Sequence, residues 1–233
     1  MASSDVLILC GGRGKRFQSV RTDIPKCLAP IGGKPFLDHL LSRFFLQGFK
    51  RIILATGYLG NQVEKHIDQN YSGRIICSHE VEPLGTGGAV KNAAHLFRTK
   101  TIIVVNGDSF IKCQFKSLLS FHEDSSADIS LLLSSETFGQ DYGNAEVSPK
   151  GRVTRFSEKT IDTLGPLVNA GIYCMKTQVL TTIESNKKVS LERDCLPIWV
   201  DKFWIMANVT DERVYDIGTP DRYELASRKR IFD

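Results

Sequence analysis

The chain has 233 residues, a formal net charge of +4, 42 % hydrophobic residues and 24 % charged residues. That is ordinary globular usage, which excludes a disordered, coiled-coil or collagen-like chain, and the length supports one large core without staples. A charge of +4 is too mild for a nucleic-acid surface and suits a small anionic substrate.

Six cysteines (Cys10, Cys27, Cys77, Cys113, Cys174 and Cys195) include no CxxC pair, and several sit in apolar runs. This pattern reads as reduced, buried thiols in a cytoplasmic protein. No apolar run approaches the ~18 residues of a membrane span. Met1–Asp5 carries no basic region, so no signal peptide is expected.

The first half alternates strands and helices. Val6–Cys10 is a short continuous apolar run before a glycine pair and reads as a buried strand. Phe36, Leu37, Leu40, Leu41, Phe44 and Phe45 mark one helical face that Gly48 ends. Strands are expected at Arg51–Ala55, Arg74–Ser78 and Thr101–Val105, and helices at Asn61–Gln69 and Gly88–Phe97. In the second half, Ile129–Ser134, Val168–Met175 and Val214–Ile217 read as strands. Ala145–Val147 and Val153–Phe156 flank the turn Ser148-Pro149-Lys150-Gly151 as a hairpin. A last helix starts near Pro220. The expected fold is a single Rossmann-like three-layer α/β/α domain over residues 1–233, with a mostly parallel central sheet and antiparallel additions in the second half.

Cys10-Gly11-Gly12-Arg13-Gly14-Lys15-Arg16-Phe17 follows the first strand. Glycines there let backbone N–H groups close on a phosphate, and Arg13, Lys15 and Arg16 add charge. It is not a P-loop: Arg16 stands where Ser or Thr is needed, and Leu9 where the first glycine is needed. It is not a dinucleotide fingerprint either, since Phe17 replaces the third glycine and Ala55-Thr56-Gly57 offers no acid. Further on, Pro25 and Pro30 stiffen the backbone around Lys26, a fixed point charge for a phosphate.

Gly11-Gly12-x-Gly14-x-Arg16-Phe17 and Pro25-Lys26-x-x-x-Pro30-Ile31-x-x-Lys34-Pro35 resemble the signature of the sugar-1-phosphate nucleotidylyltransferases. Glu82-Pro83-Leu84-Gly85-Thr86-Gly87-Gly88, Asn106-Gly107-Asp108, Phe156-Ser157-Glu158-Lys159, Asn169-Ala170-Gly171-Ile172-Tyr173, Ser190-Leu191-Glu192 and Asp216-Ile217-Gly218-Thr219-Pro220 follow in the family's order. The likeness spans essentially the whole chain. Its short length, Cys10 and the 82–88 string are most similar to the heptose-1-phosphate guanylyltransferases. The resemblance implies that an NTP, GTP by preference, and a sugar 1-phosphate, by preference heptose 1-phosphate, give an NDP-sugar and pyrophosphate.

It further implies Arg16, Lys26 and Asp108 as catalytic residues. Leu9, Gly11, Gly12, Gly14, Arg16, Glu80, Pro83, Gly85, Thr86 and Gly107 would surround the nucleotide. Gly143, Glu158, Lys159, Asn169 and Glu192 would surround the sugar phosphate, and Asp108 and Asp216 would hold Mg²⁺. Residues 1–110 would be mainly the nucleotide half and 111–233 mainly the sugar-phosphate half. Thr160 stands where the family commonly has proline.

The residues themselves agree with parts of this. Asp108 ends a strand of a parallel sheet, where ligands bind, and a carboxylate there suits Mg²⁺. Gly85–Gly88 opens a helix whose N–H groups and dipole attract anions, with room for a flat base. Guanine offers N1–H and N2 amino donors together, which one carboxylate accepts; Glu80 is the first candidate and Glu82 the other. His39, His66, His79, His95 and His122 show no ligand spacing, and no Ser/His/Asp or Cys/His nucleophile set is present.

Two other classes stay open: a non-catalytic regulator that binds nucleotide sugars, and a UTP- or CTP-using relative acting on hexose or amino-sugar 1-phosphates or on phosphocholine. Intact Arg16, Lys26, Asp108 and Asp216 argue against the regulator. No hexapeptide-repeat β-helix, and so no second acyltransferase activity, is expected. Nothing in the sequence fixes the oligomeric state, a homodimer included.

Overall fold

The computed structural model describes residues 4–14, 16–17, 23–71, 73–136, 142–158, 164–228 and 232. In chain order the first half holds β1 (Asp5–Leu9), β2 (Pro30–Ile31), β3 (Lys34–Pro35), α1 (Phe36–Leu46), β4 (Ile52–Thr56), α2 (Gly60–Asn70), β5 (Ile75–His79), α3 (Gly85–Asn92), β6 (Thr101–Asn106), β7 (Ser109–Phe110) and α4 (Phe115–Asp124). The second half holds β8 (Ile129–Ser134), β9 (Asn144–Val147), β10 (Val153–Ser157), β11 (Val168–Lys176), α5 (Leu196–Lys202), β12 (Ile205–Thr210), β13 (Tyr215–Asp216) and α6 (Pro220–Arg228).

Among the described residues, nine strands form one mixed sheet. Its first half is wholly parallel: β5, β4, β1 and β6 lie side by side, with Val6 opposite both Ile52 and Ile103. β11 adds antiparallel to β6, β8 antiparallel to β11, and β12 parallel to β8. The β9–β10 hairpin joins at Asn144 opposite Val168.

Strand alternation divides the core. Val6, Ile8, Ile52, Leu54, Ile103 and Val105 pack with residues of α1, α2 and α4 on one face. Leu7, Ile53, Ala55, Ile102 and Val104 pack with residues of α3 and α5 on the other. Both faces are covered, which is why these strands read as continuous apolar runs rather than alternating ones. The expected three layers, the parallel half and the antiparallel additions are all present. α1 buries Phe36, Leu37, Leu40, Leu41 and Phe44, and Gly48 closes it at φ +84°.

Three of the longer elements go beyond the sequence reading. α4 buries Phe115, Leu118, Leu119 and His122 at helical spacing, but its stripe ends in a histidine. α5 starts from the irregular turn Leu191–Cys195, with Pro197 in its first turn. β12 alternates buried Ile205 and Ala207 with half-buried Met206 and Asn208, so methionine blurs its period. The late strand expected over Val214–Ile217 is corrected to the two residues of β13, outside the main sheet, paired with β7. The helix expected at Gly88–Phe97 begins at Gly85 and tightens to a 3-10 turn over Ala93–Leu96.

No helix among the described residues is long and apolar enough to cross a membrane. All six cysteines are free of disulfides.

Candidate active site

The site forms where β1 and β6 end. Cys10 N–H donates to the Ala55 carbonyl at 2.8 Å, and Gly107 N–H to the Leu9 carbonyl at 3.0 Å. A methyl group at Gly107 would lie 2.5 Å from that carbonyl oxygen, so only glycine lets the two strand ends meet. Gly14 takes φ +57° and accepts the Phe17 N–H at 2.7 Å. Fully buried Phe17 then anchors the loop edge-on against Tyr223 of α6, with ring centroids 5.4 Å apart.

A first cleft of about 280 Å³ opens above this loop. Leu9, Gly11, Gly12, Gly14, Lys26, Glu80, Pro83, Gly85, Thr86, Gly107 and Asp108 line it together, although they come from four separate segments. Glu80 is 8 % exposed. Its Oε2 accepts the Leu84 N–H at 2.8 Å, and a methyl at Gly11 would lie 2.8 Å from its Oε1. Burial raises its pKa above the ordinary carboxylate value, opposed by the Leu84 N–H and by His79. Glu82, the other candidate, is exposed and lines only a neighbouring cleft.

The start of α3 needs correction. Gly87 and Gly88 N–H both donate to the Val189 carbonyl, at 2.9 and 3.1 Å, so they are not open to an anion. Methyl groups at Gly85 and Gly88 would lie 2.5 Å from the Val189 oxygen and 2.6 Å from the Lys187 oxygen. These glycines admit the 187–189 backbone, while Gly85 itself lines the cleft. The Thr86 hydroxyl donates to Glu192 Oε2 at 2.6 Å and accepts the Leu191 N–H at 2.8 Å.

Asn106 and Asp108 also line a second cleft, of about 130 Å³, with Arg16, Gly143, Glu158, Asn169, Glu192, Asp216 and Arg222. β13 brings Asp216 here: it pairs with Ser109, and Ile217 N–H donates to the Asp108 carbonyl at 3.0 Å. Lys26 Nζ meets Asp108 Oδ2 at 2.5 Å. Arg222 Nη1 meets Asp216 Oδ2 at 2.8 Å, and Gly218 N–H donates to Asp216 Oδ1 at 2.7 Å. A methyl at Gly218 would lie 2.7 Å from Asp216 Oδ1, 3.3 Å from Lys26 Nζ and 3.8 Å from Arg16 Nη2. The missing side chain thus lets these charged heads converge. Arg16, expected beside the nucleotide phosphates, faces this second cleft.

The rest of the second cleft is a buried polar network. Glu192 Oε1 accepts the Tyr173 hydroxyl at 3.2 Å, and Asn169 Nδ2 donates to that hydroxyl oxygen at 2.7 Å. A methyl at Gly143 would lie 2.7 Å from Glu158 Oε2. Lys159, with Thr160 beside it, lies outside the described residues, as does Lys15.

The donor set fits Mg²⁺. Asp108 and Asp216 offer oxygen atoms from two segments, and the Asp108 side chain is 41 % exposed. Burial, joined by the Asp108 charge, raises Asp216 above the ordinary carboxylate range, a repulsion that a cation between the two relieves. Among the described residues no three His, Cys, Asp or Glu side chains form a protein-only cage. Mg²⁺ keeps several waters and takes one or two carboxylates plus substrate phosphates, so two suffice.

Sequence reasoning missed Arg222, Tyr142, Tyr173 and His79. Arg222 reaches the cleft only because α6 folds back over the first loop, and Tyr142 lies under its guanidinium at 4.7 Å. His79 joins Thr56 and Glu64 in a network beneath Glu80, with Nδ1 2.9 Å from Glu64 Oε1. No local pattern marks Arg222, Tyr142 or His79, and the string that holds Tyr173 does not show its partner, because each acts across separate elements.

The comparisons agree with this geometry. The chain is 32 % identical over 226 residues to the D-glycero-alpha-D-manno-heptose 1-phosphate guanylyltransferase of Aneurinibacillus thermoaerophilus, covering 97 % of each. Its structure matches the crystal structure of HddC from Yersinia pseudotuberculosis with a TM-score of 0.84 at 32 % identity, covering 97 % of this chain and 99 % of that one. HddC complexed with GMP-PN matches with a TM-score of 0.83 at the same identity and coverage. The nucleotidyl transferase family model matches residues 5–231. With two clefts meeting at a carboxylate pair and a match of that length, the chain belongs to the nucleotidyl transferase family.

Proposed function

We propose that the protein transfers guanylyl from GTP to a sugar 1-phosphate, D-glycero-α-D-manno-heptose 1-phosphate by preference, releasing pyrophosphate. The observation that carries this reading is the junction: Asp108 and Asn106 line both clefts, with Lys26 and Asp216 beside them. A donor nucleotide and an acceptor phosphate would meet there. The relatives whose printed names specify guanylyl transfer to heptose 1-phosphate support the choice of substrates.

The nucleotide occupies the first cleft, with guanine against Glu80. Oε1 accepts one donor of the base edge, and Oε2 accepts the other with the lone pair that Leu84 leaves. The acceptor occupies the second cleft, where Glu158, Asn169 and Glu192 meet its hydroxyl groups. Its phosphate oxygen attacks the α-phosphorus in line, the bond to the β-phosphate oxygen breaks, and pyrophosphate leaves. Such a reaction needs alignment and charge neutralisation rather than a covalent intermediate. Lys26 and Arg16 neutralise the phosphates, and Asp108 and Asp216 hold Mg²⁺. The metal, when bound, offsets the phosphate charge and polarises the α-phosphate.

The test is product detection. Purified protein with GTP, Mg²⁺ and heptose 1-phosphate should yield GDP-heptose by mass spectrometry, with one pyrophosphate per sugar nucleotide. Binding of both substrates without product would favour the regulator instead.

A further inference from the structure

We propose that Arg222 binds the phosphate of the acceptor, bridging it to Asp216. The proposal rests on the assignment of the second cleft to the sugar 1-phosphate.

Arg222 lies in the first turn of α6, and two contacts fix that helix over the glycine loop. Tyr223 packs edge-on against Phe17, and its hydroxyl donates to the Pro30 carbonyl at 2.7 Å. The side chain of Arg222 therefore points back into the site and is only 14 % exposed. Nη1 donates to Asp216 Oδ2 at 2.8 Å, and the guanidinium plane stacks over the Tyr142 ring at 4.7 Å. Both Asp216 and Tyr142 line the second cleft, as does Arg222 itself.

The chemistry follows from that pose. A guanidinium carries five N–H donors in a rigid fork, more than one carboxylate takes up, and the fork matches a phosphate. Arg16 lines the same cleft, and its Nη2 reaches the space beside Gly218 next to Asp216. Two guanidinium groups lining one cleft favour a phosphate there. The first cleft holds Lys26 for the nucleotide, whereas Arg222 shares its cleft with Gly143, Glu158 and Asn169. The anion that fits is the acceptor's phosphate, not the triphosphate. Stacking on Tyr142 keeps the fork from swinging out when the cleft is empty.

Calorimetry on the full chain with Mg²⁺ tests this, using heptose 1-phosphate and, separately, the non-cleavable α,β-methylene analogue of GTP. Arg222→Gln should weaken the sugar phosphate on the order of 10-fold or more, the scale of a lost charge-assisted hydrogen bond. Binding of the GTP analogue should stay within roughly 2-fold. Arg222→Lys keeps the charge without the fork and should recover part of the loss. Unchanged acceptor binding in Arg222→Gln, or equal weakening of both ligands, would overturn the proposal and leave Arg222 a staple for Asp216. Should Arg222→Gln not fold, the lysine variant decides: acceptor binding equal to that of the wild type overturns the proposal, and selective weakening supports it. Failure of the wild type to bind any sugar 1-phosphate would instead overturn the acceptor assignment, and this proposal with it.

Discussion

Gly218 shows how a missing side chain shapes the site. A methyl there meets Asp216 Oδ1 at 2.7 Å, closer than real Cβ contacts allow, and crowds Lys26 Nζ at 3.3 Å. Gly218→Ala should leave the thermal midpoint nearly unchanged and cut kcat strongly, because the displaced groups are the charged ones. Asp108→Asn should nearly abolish turnover while circular dichroism stays native, since it removes one metal-binding charge and the partner of Lys26. Wild-type turnover with Mg²⁺ in Asp108→Asn would contradict its placement. Glu80→Gln should lower kcat/KM for GTP by roughly 10- to 100-fold, as for a lost charged acceptor, and change UTP use much less. At this scale most of the site was legible, because residues such as Gly11, Lys26 and Asp108 stand in recognisable strings. Arg222 was not, because its partner Asp216 lies in another element, and the string that holds Tyr173 did not show its bond to Glu192.

Elements decide what those residues can reach. α3 and the 187–189 segment form a backbone zipper, with Val189 N–H donating to the Leu84 carbonyl at 2.8 Å in addition to the two glycine bonds. Gly88→Ala pushes a methyl to 2.6 Å from the Lys187 oxygen and should cost about 1–3 kcal/mol in urea unfolding, the range for overpacking. The sequence shows the glycine run but not its use, since a helix start with free N–H groups and one zipped to a neighbouring segment look alike. α4 carries a different liability. His122 is buried, its Nδ1 lies 2.8 Å from Ser130 Oγ, and its Nε2 has no partner. Burial, helped by Lys176, pulls its pKa from the ordinary 6.5 to about 4. The folded state then binds fewer protons than the unfolded one between those values. Its contribution to stability is complete above pH 6.5 and is lost as pH falls toward 4. Between pH 7.5 and 5 the wild type should lose about 2 kcal/mol more than His122→Leu, read by urea unfolding. Equal losses would show that His122 does not titrate in this way.

The whole molecule joins a parallel half to an antiparallel one at β6–β11, and the two clefts meet along that seam. Continuous apolar runs made the parallel half legible. In the second half, β12 and α5 escaped notice because methionine, asparagine and proline interrupt their periods. The central claim is that one cleft reads guanine and the other holds a sugar 1-phosphate for in-line transfer. The most direct test is a pyrophosphate-release matrix of GTP, ATP, UTP and CTP against heptose, mannose, glucose and N-acetylhexosamine 1-phosphates, all with Mg²⁺. The account predicts the highest kcat/KM for GTP with heptose 1-phosphate, with GTP ahead of the other nucleotides for that acceptor. A preference for UTP or CTP with the same acceptor would contradict the reading of Glu80, and no pyrophosphate from any pair would contradict the transfer itself.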